Sequence, residues 1–263
     1  MSPGSAPARE PTRTAAEDRW IKVFHPRPRA ELRLFCFPYA GGAAAVYRSW
    51  HEDLPDTVEV VAVQPPGRES RFREEPFRRI EPLAEAATEA LSPHLDRPFA
   101  FFGHSLGAIL AFEVTRRLRR RGRPGPRHLF VSGRPAPRVE PSDPPIHDLP
   151  QGEFIEEVRR YSGTPEEVLQ HRELMELIEP LLRADFAVSE TYRYTPDPEP
   201  LDVPLTAIGG TEDEDVPAED LAPWRQETLG PFQEHLLPGG HFFLNERRRE
   251  VVGLVARELQ RYL

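Results

Sequence analysis

Cysteine is nearly absent from this chain: Cys36 is the single one among 263 residues. One thiol cannot close an internal disulfide, so a disulfide-stapled scaffold is excluded and a reducing, cytoplasmic compartment is expected. Cys36 lies inside the run Leu32-Arg33-Leu34-Phe35-Cys36-Phe37, where a buried structural thiol is expected rather than a nucleophile. Long hydrophobic runs are missing too. None approaches the roughly 18 residues of a membrane span, so no membrane partner is expected. The start, Met1 to about Ala16, is rich in Pro, Ala, Ser and Arg and has no apolar stretch. It reads as a disordered leader, taken as 1–19, and not as a signal peptide. Positive charge is in deficit: the net charge is −9, whereas nucleic-acid binders usually carry a basic excess. No internal repeat is visible.

What is present suffices for a large core. A chain of this length commonly forms one α/β domain. Apolar strand-like runs recur at 32–37, 58–63, 99–102, 128–131, 203–208 and 235–237. Helix-like segments separate most of them, at 80 to about 94, 106 to about 120, 217–228 and 246–263. The alternation predicts an α/β fold, a mostly parallel sheet with helices on both faces. Gly- and Pro-rich turns close several strands: Pro38-Tyr39-Ala40-Gly41-Gly42, Pro65-Pro66-Gly67-Arg68, Ser132-Gly133-Arg134 and Gly209-Gly210. Ligands of open α/β sheets bind outside the carboxyl ends of the strands, so these turns are expected to ring the site.

One connection breaks the rhythm. About seventy residues separate Gly133 from Val203, far more than one crossover helix requires. A proline-laden linker, 135–150, leads to a short helix at about 153–161 and a longer one from Pro165 to about Leu182. Val168, Leu174, Met175, Leu177, Ile178, Leu181 and Leu182 recur there at three-to-four spacing. Pro180 interrupts the pattern and predicts a kink or break. Residues 135–200 are therefore expected to form a helical lid inserted in a core made of 20–134 and 201–263. Its apolar face, with Met175, Leu177, Ile178, Leu181 and Phe186, is expected to wall an acyl pocket.

The chemistry centres on Gly103-His104-Ser105-Leu106-Gly107. A strand-length apolar burst precedes this pentapeptide and a good helix former follows it. Strand, tight glycine-flanked turn and helix together are a nucleophile elbow, which holds the Ser105 hydroxyl clear of the sheet. A serine nucleophile needs a base, and the base an orienting carboxylate. In α/β-hydrolases these follow in the order Ser, Asp/Glu, His. His241, in Pro238-Gly239-Gly240-His241-Phe242-Phe243, stands on a loop between a strand and a helix and is the expected base. His104, beside the nucleophile, is read as a packing residue. The acid lies in Gly210-Thr211-Glu212-Asp213-Glu214-Asp215-Val216; Gly-x-x-Asp-x-x-Val spacing selects Asp213, with Asp215 as the alternative. Two backbone N–H groups should form the oxyanion hole, those of Leu106 and Ala40. No metal and no cofactor is expected.

With these residues in place the chain resembles the stand-alone type II thioesterases of polyketide and nonribosomal peptide synthesis, over nearly its whole length from Trp20. The likeness is carried by Phe37-Pro38-Tyr39-Ala40-Gly41-Gly42, Gln64-Pro65-Pro66-Gly67-Arg68-Glu69, the serine pentapeptide, Ser132-Gly133-Arg134, Leu182-Arg183-Ala184-Asp185-Phe186 and Pro238-Gly239-Gly240-His241-Phe242-Phe243. The resemblance implies an α/β-hydrolase fold and a triad of Ser105, Asp213 and His241. It also implies hydrolysis of acyl thioesters from the phosphopantetheine arm of an acyl or peptidyl carrier protein, as an editing activity in antibiotic assembly. A carboxylesterase or lipase on small oxygen esters is the alternative enzyme, and a non-catalytic hydrolase-fold scaffold the alternative class. Arg116, Arg117, Arg119, Arg120, Arg121 and Arg123 crowd one helix end. They read either as cations complementing its dipole or as a patch steering an acidic carrier. The apolar lid is the preferred docking surface.

Overall fold

The computed structural model describes residues 17–263 except 142, 162, 164 and 165. The expected leader over 1–19 lies outside the described residues as far as 16, and the expected helix start at Pro165 lies outside them too; 17–19, expected to be disordered, instead form a 3₁₀ turn with Trp20, Glu17–Trp20. Seven strands form one sheet: β1 (Ile21–Lys22), β2 (Leu32–Phe37), β3 (Val58–Val63), β4 (Phe99–His104), β5 (Leu129–Ser132), β6 (Leu205–Gly210) and β7 (Phe232–Leu237). Their order is β1-β3-β2-β4-β5-β6-β7. All neighbours are parallel except β1, which runs antiparallel to β3.

Every residue of β2 to β6 is buried, as in strands covered on both faces. Alternate side chains serve different cores. Phe35 and Phe37 face one core with α1 (Ile80–Leu91) and α2 (Leu106–Arg120); Leu34 and Cys36 face another with α7 (Arg248–Leu259). Cys36 is a buried free thiol whose pKa burial pushes well above the ordinary value, which suits a structural residue.

Register fixes where the loops emerge. Phe37 is level with Gly103, His104 with Ser132, Ser132 with Ile208, and Gly210 with Leu237. The loops after β2, β4, β5, β6 and β7 therefore leave at one edge of the sheet, the carboxyl edge.

The long connection between β5 and β6 carries α3 (Gln151–Arg160), α4 (Glu166–Leu169) and α5 (Arg172–Glu190). These helices have a small core of their own: Ile146, Phe154, Val158, Leu169, Met175 and Leu182. Two expectations about α5 need correction. Pro180 neither breaks nor ends it, and the helix runs on to Glu190 instead of stopping near Leu182. A proline removes one i→i−4 bond, and here packing outweighs that loss. The last turns bury Ala184, Ala187 and Val188, with Val188 in the main core beside α2.

Other boundaries moved for local reasons. Strand β6 begins after Pro204, which has no N–H to give the ladder. The helix expected at 217–228 is two 3₁₀ turns, Ala218–Asp220 and Ala222–Glu227, separated at Leu221, with Pro223 in the first turn of the second. The C-terminal helix is split into α6 (Phe243–Glu246) and α7 at Arg247.

Candidate active site

Ser105 joins β4 to α2 at φ +52° and ψ −117°, a conformation that non-glycine residues rarely adopt. The flanking glycines make this turn possible. A Cβ on Gly103 would meet the Gly107 carbonyl oxygen at 2.1 Å, and a Cβ on Gly107 would meet the Phe37 carbonyl oxygen at 2.1 Å. The Ser105 N–H donates to the Ser132 carbonyl at 2.8 Å, tying the elbow to the neighbouring strand end. Strain at Ser105 is thus held by packing on both sides.

His241 follows Gly239, which is at φ +122°, and its Nδ1 bonds Asp213 Oδ2 at 2.9 Å. The Asp213 side chain is fully buried. Its other oxygen accepts the N–H groups of Asp215 and Val216, both at 3.1 Å. Those bonds hold the carboxylate toward His241. The side chain of Asp215 points to the same region but does not bond the imidazole among the described residues. Burial pushes its carboxyl pKa up, His241 pulls it down and Asp213 pushes it up again. Ligand atoms of Asp213, Asp215 and His241 lie within 4.8 Å of one another.

The imidazole of His241 lies beside that of His104, ring centroids 5.3 Å apart, which brings the expected base next to the elbow. No hydrogen bond joins Ser105 Oγ to His241 among the described residues; substrate-free sites often leave this contact long and tighten it on binding. His104 itself is buried, its Nδ1 2.9 Å from Ser132 Oγ, and its ring is packed by Tyr39, Phe242 and Phe243. Burial, then the charge of His241, holds its pKa well below the usual imidazole value. A neutral, enclosed ring fits the packing role read from the sequence.

The N–H groups of Ala40 and Leu106 have no protein acceptor among the described residues. Leu106 opens α2, so its N–H belongs to the unsatisfied first turn and carries the positive end of the helix dipole. Ala40 sits in the 39–42 loop after β2, whose turn is closed by the Gly42 N–H donating to Tyr39 O at 2.9 Å.

The residues expected to line a lid pocket separate into different environments. Met175 is 2% exposed inside the small core of α3 to α5, and Ile178 and Phe186 pack against that core. Phe186 meets Phe154 and Tyr161 with centroids at 6.0 and 5.4 Å. Leu177 is 52% exposed. Leu181 leans on the loop after β3, its Cδ1 3.2 Å from where a Cβ on Gly67 would stand.

Sequence reasoning missed the pairing of Arg68 with Asp185. They form a buried bidentate ion pair, 2.9 and 3.0 Å, across 117 residues of chain. The signal was one carboxylate on the apolar face of α5, between Leu181, Leu182 and Val188. The arginines at the end of α2 are mostly engaged. Arg116, Arg119 and Arg120 all bond Asp197, Arg117 bonds Glu113, and Arg121 pairs with Glu85. Burial alone would raise the Asp197 carboxyl; hydrogen bonds and charge from these arginines carry it far below the carboxylate range instead. The cluster clamps the segment after α5 to α2.

No described helix is long and apolar enough to cross a membrane. A family model for the thioesterase domain matches residues 32–259. Among curated relatives, linear gramicidin dehydrogenase LgrE of Brevibacillus parabrevis is 42% identical over 248 residues, 93% of this chain and 94% of that protein. Thioesterase PikA5 of Streptomyces venezuelae is 42% identical over 241 residues, 91% of this chain and 85% of its own. Among solved structures, the type II thioesterase BorB from the borrelidin biosynthetic cluster superposes with a TM-score of 0.84 at 37% identity, covering 95% of this chain and all of that one. An elbow serine beside a buried Asp–His pair, on a sheet of this order and with relatives of this kind, makes the chain a member of the thioesterase family, in its type II branch on the α/β-hydrolase fold.

Proposed function

We infer that the protein is a serine thioesterase that removes acyl groups from the phosphopantetheine arm of an acyl or peptidyl carrier protein, and that it edits a polyketide or nonribosomal peptide assembly line. The observation that carries this reading is the Asp213–His241 bond set beside a strained Ser105. Asp213 keeps the proton of His241 on Nδ1, leaving Nε2 free to take the Ser105 proton. The Ser105 oxygen attacks the acyl carbon, and negative charge on the former carbonyl oxygen is met by the N–H groups of Ala40 and Leu106. Collapse of the tetrahedral intermediate breaks the C–S bond; His241 returns its proton to the thiolate, and an acyl-Ser105 ester remains. Water then repeats the sequence and releases the acid.

A thiol with a pKa near ~8.5 leaves far more easily than an amine, so this substrate class asks little of the acid step. The insertion over 135–200, which carries α3 to α5, acts as the lid over the carboxyl edge, and Leu181 is the side chain best placed to meet an acyl chain near the 65–68 loop. A carrier-linked reaction of this kind supports a cytoplasmic location beside the synthase. LgrE bears the name of a dehydrogenase, but this chain contains no Gly-x-Gly and so lacks the dinucleotide-binding fingerprint. Rapid quenching after mixing with an acyl thioester, followed by peptide mass spectrometry, tests the reading. The acyl mass is expected on the peptide bearing Ser105; turnover without any acyl-Ser105, or turnover undiminished in Ser105→Ala, would overturn it.

A further inference from the structure

Asp185 lies on the buried face of α5 and reaches into the core through a single carboxylate, 2% exposed. Its Oδ1 accepts Arg68 Nη2 at 2.9 Å; its Oδ2 accepts Arg68 Nη1 at 3.0 Å and the Gly41 N–H at 2.7 Å. Arg68 in turn donates to the Gly42 carbonyl at 2.8 Å and to the Pro66 carbonyl at 3.2 Å. Gln64 completes the frame, giving its Nε2 to the Arg68 carbonyl at 3.0 Å and accepting the Ala44 N–H at 2.8 Å. One carboxylate delivered by α5 thus holds the loop after β2 against the loop after β3.

The position of Gly41 gives this frame its meaning. The Gly41 N–H belongs to the peptide plane that follows Ala40, so anchoring it fixes the orientation of the Ala40 backbone. Gly41 stands at φ +72°, and Leu182 Cδ2 is 2.6 Å from where its Cβ would be. The next residue of α5 but two, Asp185, therefore bonds the same glycine that Leu182 presses upon. A buried ion pair adds little net stability, because desolvation consumes most of its attraction. Definition of geometry is what such a pair supplies here.

We propose that Asp185, locked by Arg68, is a positioning residue for the oxyanion hole: it sets the 39–42 loop, aims the Ala40 N–H, and makes a seated α5 a condition of acyl transfer. The inference rests on the reading of Ala40 as an oxyanion donor. Lid and chemistry are then one device, since an α5 that lifts withdraws the acceptor from Gly41 and relaxes the hole.

The test uses the full chain, an acyl-N-acetylcysteamine substrate and an acyl trifluoromethyl ketone, whose adduct with Ser105 carries the oxyanion. Asp185→Ala removes the acceptor. The double variant R68M/D185L replaces the pair with apolar groups that keep α5 packed, and Asp185→Asn keeps one oxygen for Gly41. For the first two, kcat is expected to fall about 10–100-fold, a fraction of the loss of a whole oxyanion donor. KM is expected to stay within about threefold while the ketone weakens by the same factor as kcat, the mark of an interaction made in the transition state. Asp185→Asn is expected to recover most of the loss. Should Asp185→Ala fail to fold, the other two variants carry the comparison. A double variant with wild-type melting temperature and kcat within about threefold of wild type would overturn the proposal, and so would a rise in KM alone. Wild-type protein without Ser105-dependent thioester hydrolysis would sink the functional reading itself, which is a different outcome from a fully active double variant.

Discussion

At the scale of residues, the acid is the assignment with the closest rival. Asp213 and Asp215 sit two residues apart, and both approach His241. Backbone bonding separates them: Asp213 accepts two N–H groups on one oxygen and His241 on the other. Asp213→Asn should therefore lower kcat on the order of 10⁴-fold, by presenting an amide where the imidazole tautomer needs an acceptor. Asp215→Asn is expected to change kcat by less than about tenfold, since it leaves those bonds in place. Steady-state kinetics on both variants checks this, and the reverse order would move the acid to Asp215. The sequence allowed a choice between the two carboxylates because the spacing from Gly210 to Val216 describes a turn, and a turn has local chemistry. It offered no comparable route to Arg68 and Asp185, whose partnership depends on how two distant segments meet.

At the scale of elements, α5 holds two kinds of apolar residue. Met175 belongs to the small core shared by α3 to α5, whereas Leu181 faces the 65–68 loop. Met175→Ala should cost about 2–5 kcal/mol locally and depress activity alike for every acyl length, because it unpacks the helices from one another. Leu181→Ala should instead shift the ratio of kcat/KM between long and short acyl chains, by an amount set by the roughly 1–3 kcal/mol of a methylene contact. A panel of acyl-N-acetylcysteamines of graded length separates the two; a uniform loss for Leu181→Ala would remove it from the pocket. The strands β2 to β6 were legible because residues buried on both faces leave continuous apolar runs. Strand β1, two residues long, leaves no periodicity to read, and β7, only partly buried, was visible only at its apolar end. Helix α5 outran its expected end because Ala184, Ala187 and Val188 turn toward a partner that local periodicity cannot name.

At the scale of the whole molecule, two buried imidazoles make stability depend on pH. His128 is bonded to Thr206 and Tyr262, and burial, then the charge of Arg261, lowers its pKa to about 3. His104 is lowered by burial as well. Folding keeps both neutral where the unfolded chain would protonate them. The unfolded state then binds more protons, and unfolding free energy falls as pH drops below about 6.5, by up to about 1.4 kcal/mol per pH unit for each group. Chemical denaturation between pH 7 and pH 4 checks this: His128→Asn should flatten the slope, and an unchanged slope would remove His128 from the account.

The surface of the molecule bears on its partner in the same way. Arg116, Arg119 and Arg120 are paired with Asp197, which favours the apolar lid over that cluster as the proposed docking face for a carrier. The most direct test of the central claim is kcat/KM for one acyl group presented on a carrier protein, on N-acetylcysteamine and as the matched oxygen ester, each at low and high salt. We expect the carrier-bound thioester to be favoured by at least about tenfold, through contacts realised in the transition state, with a preference that salt scarcely alters. Equal values for carrier-bound and free thioester, or a preference for the oxygen ester, would contradict a carrier-directed thioesterase.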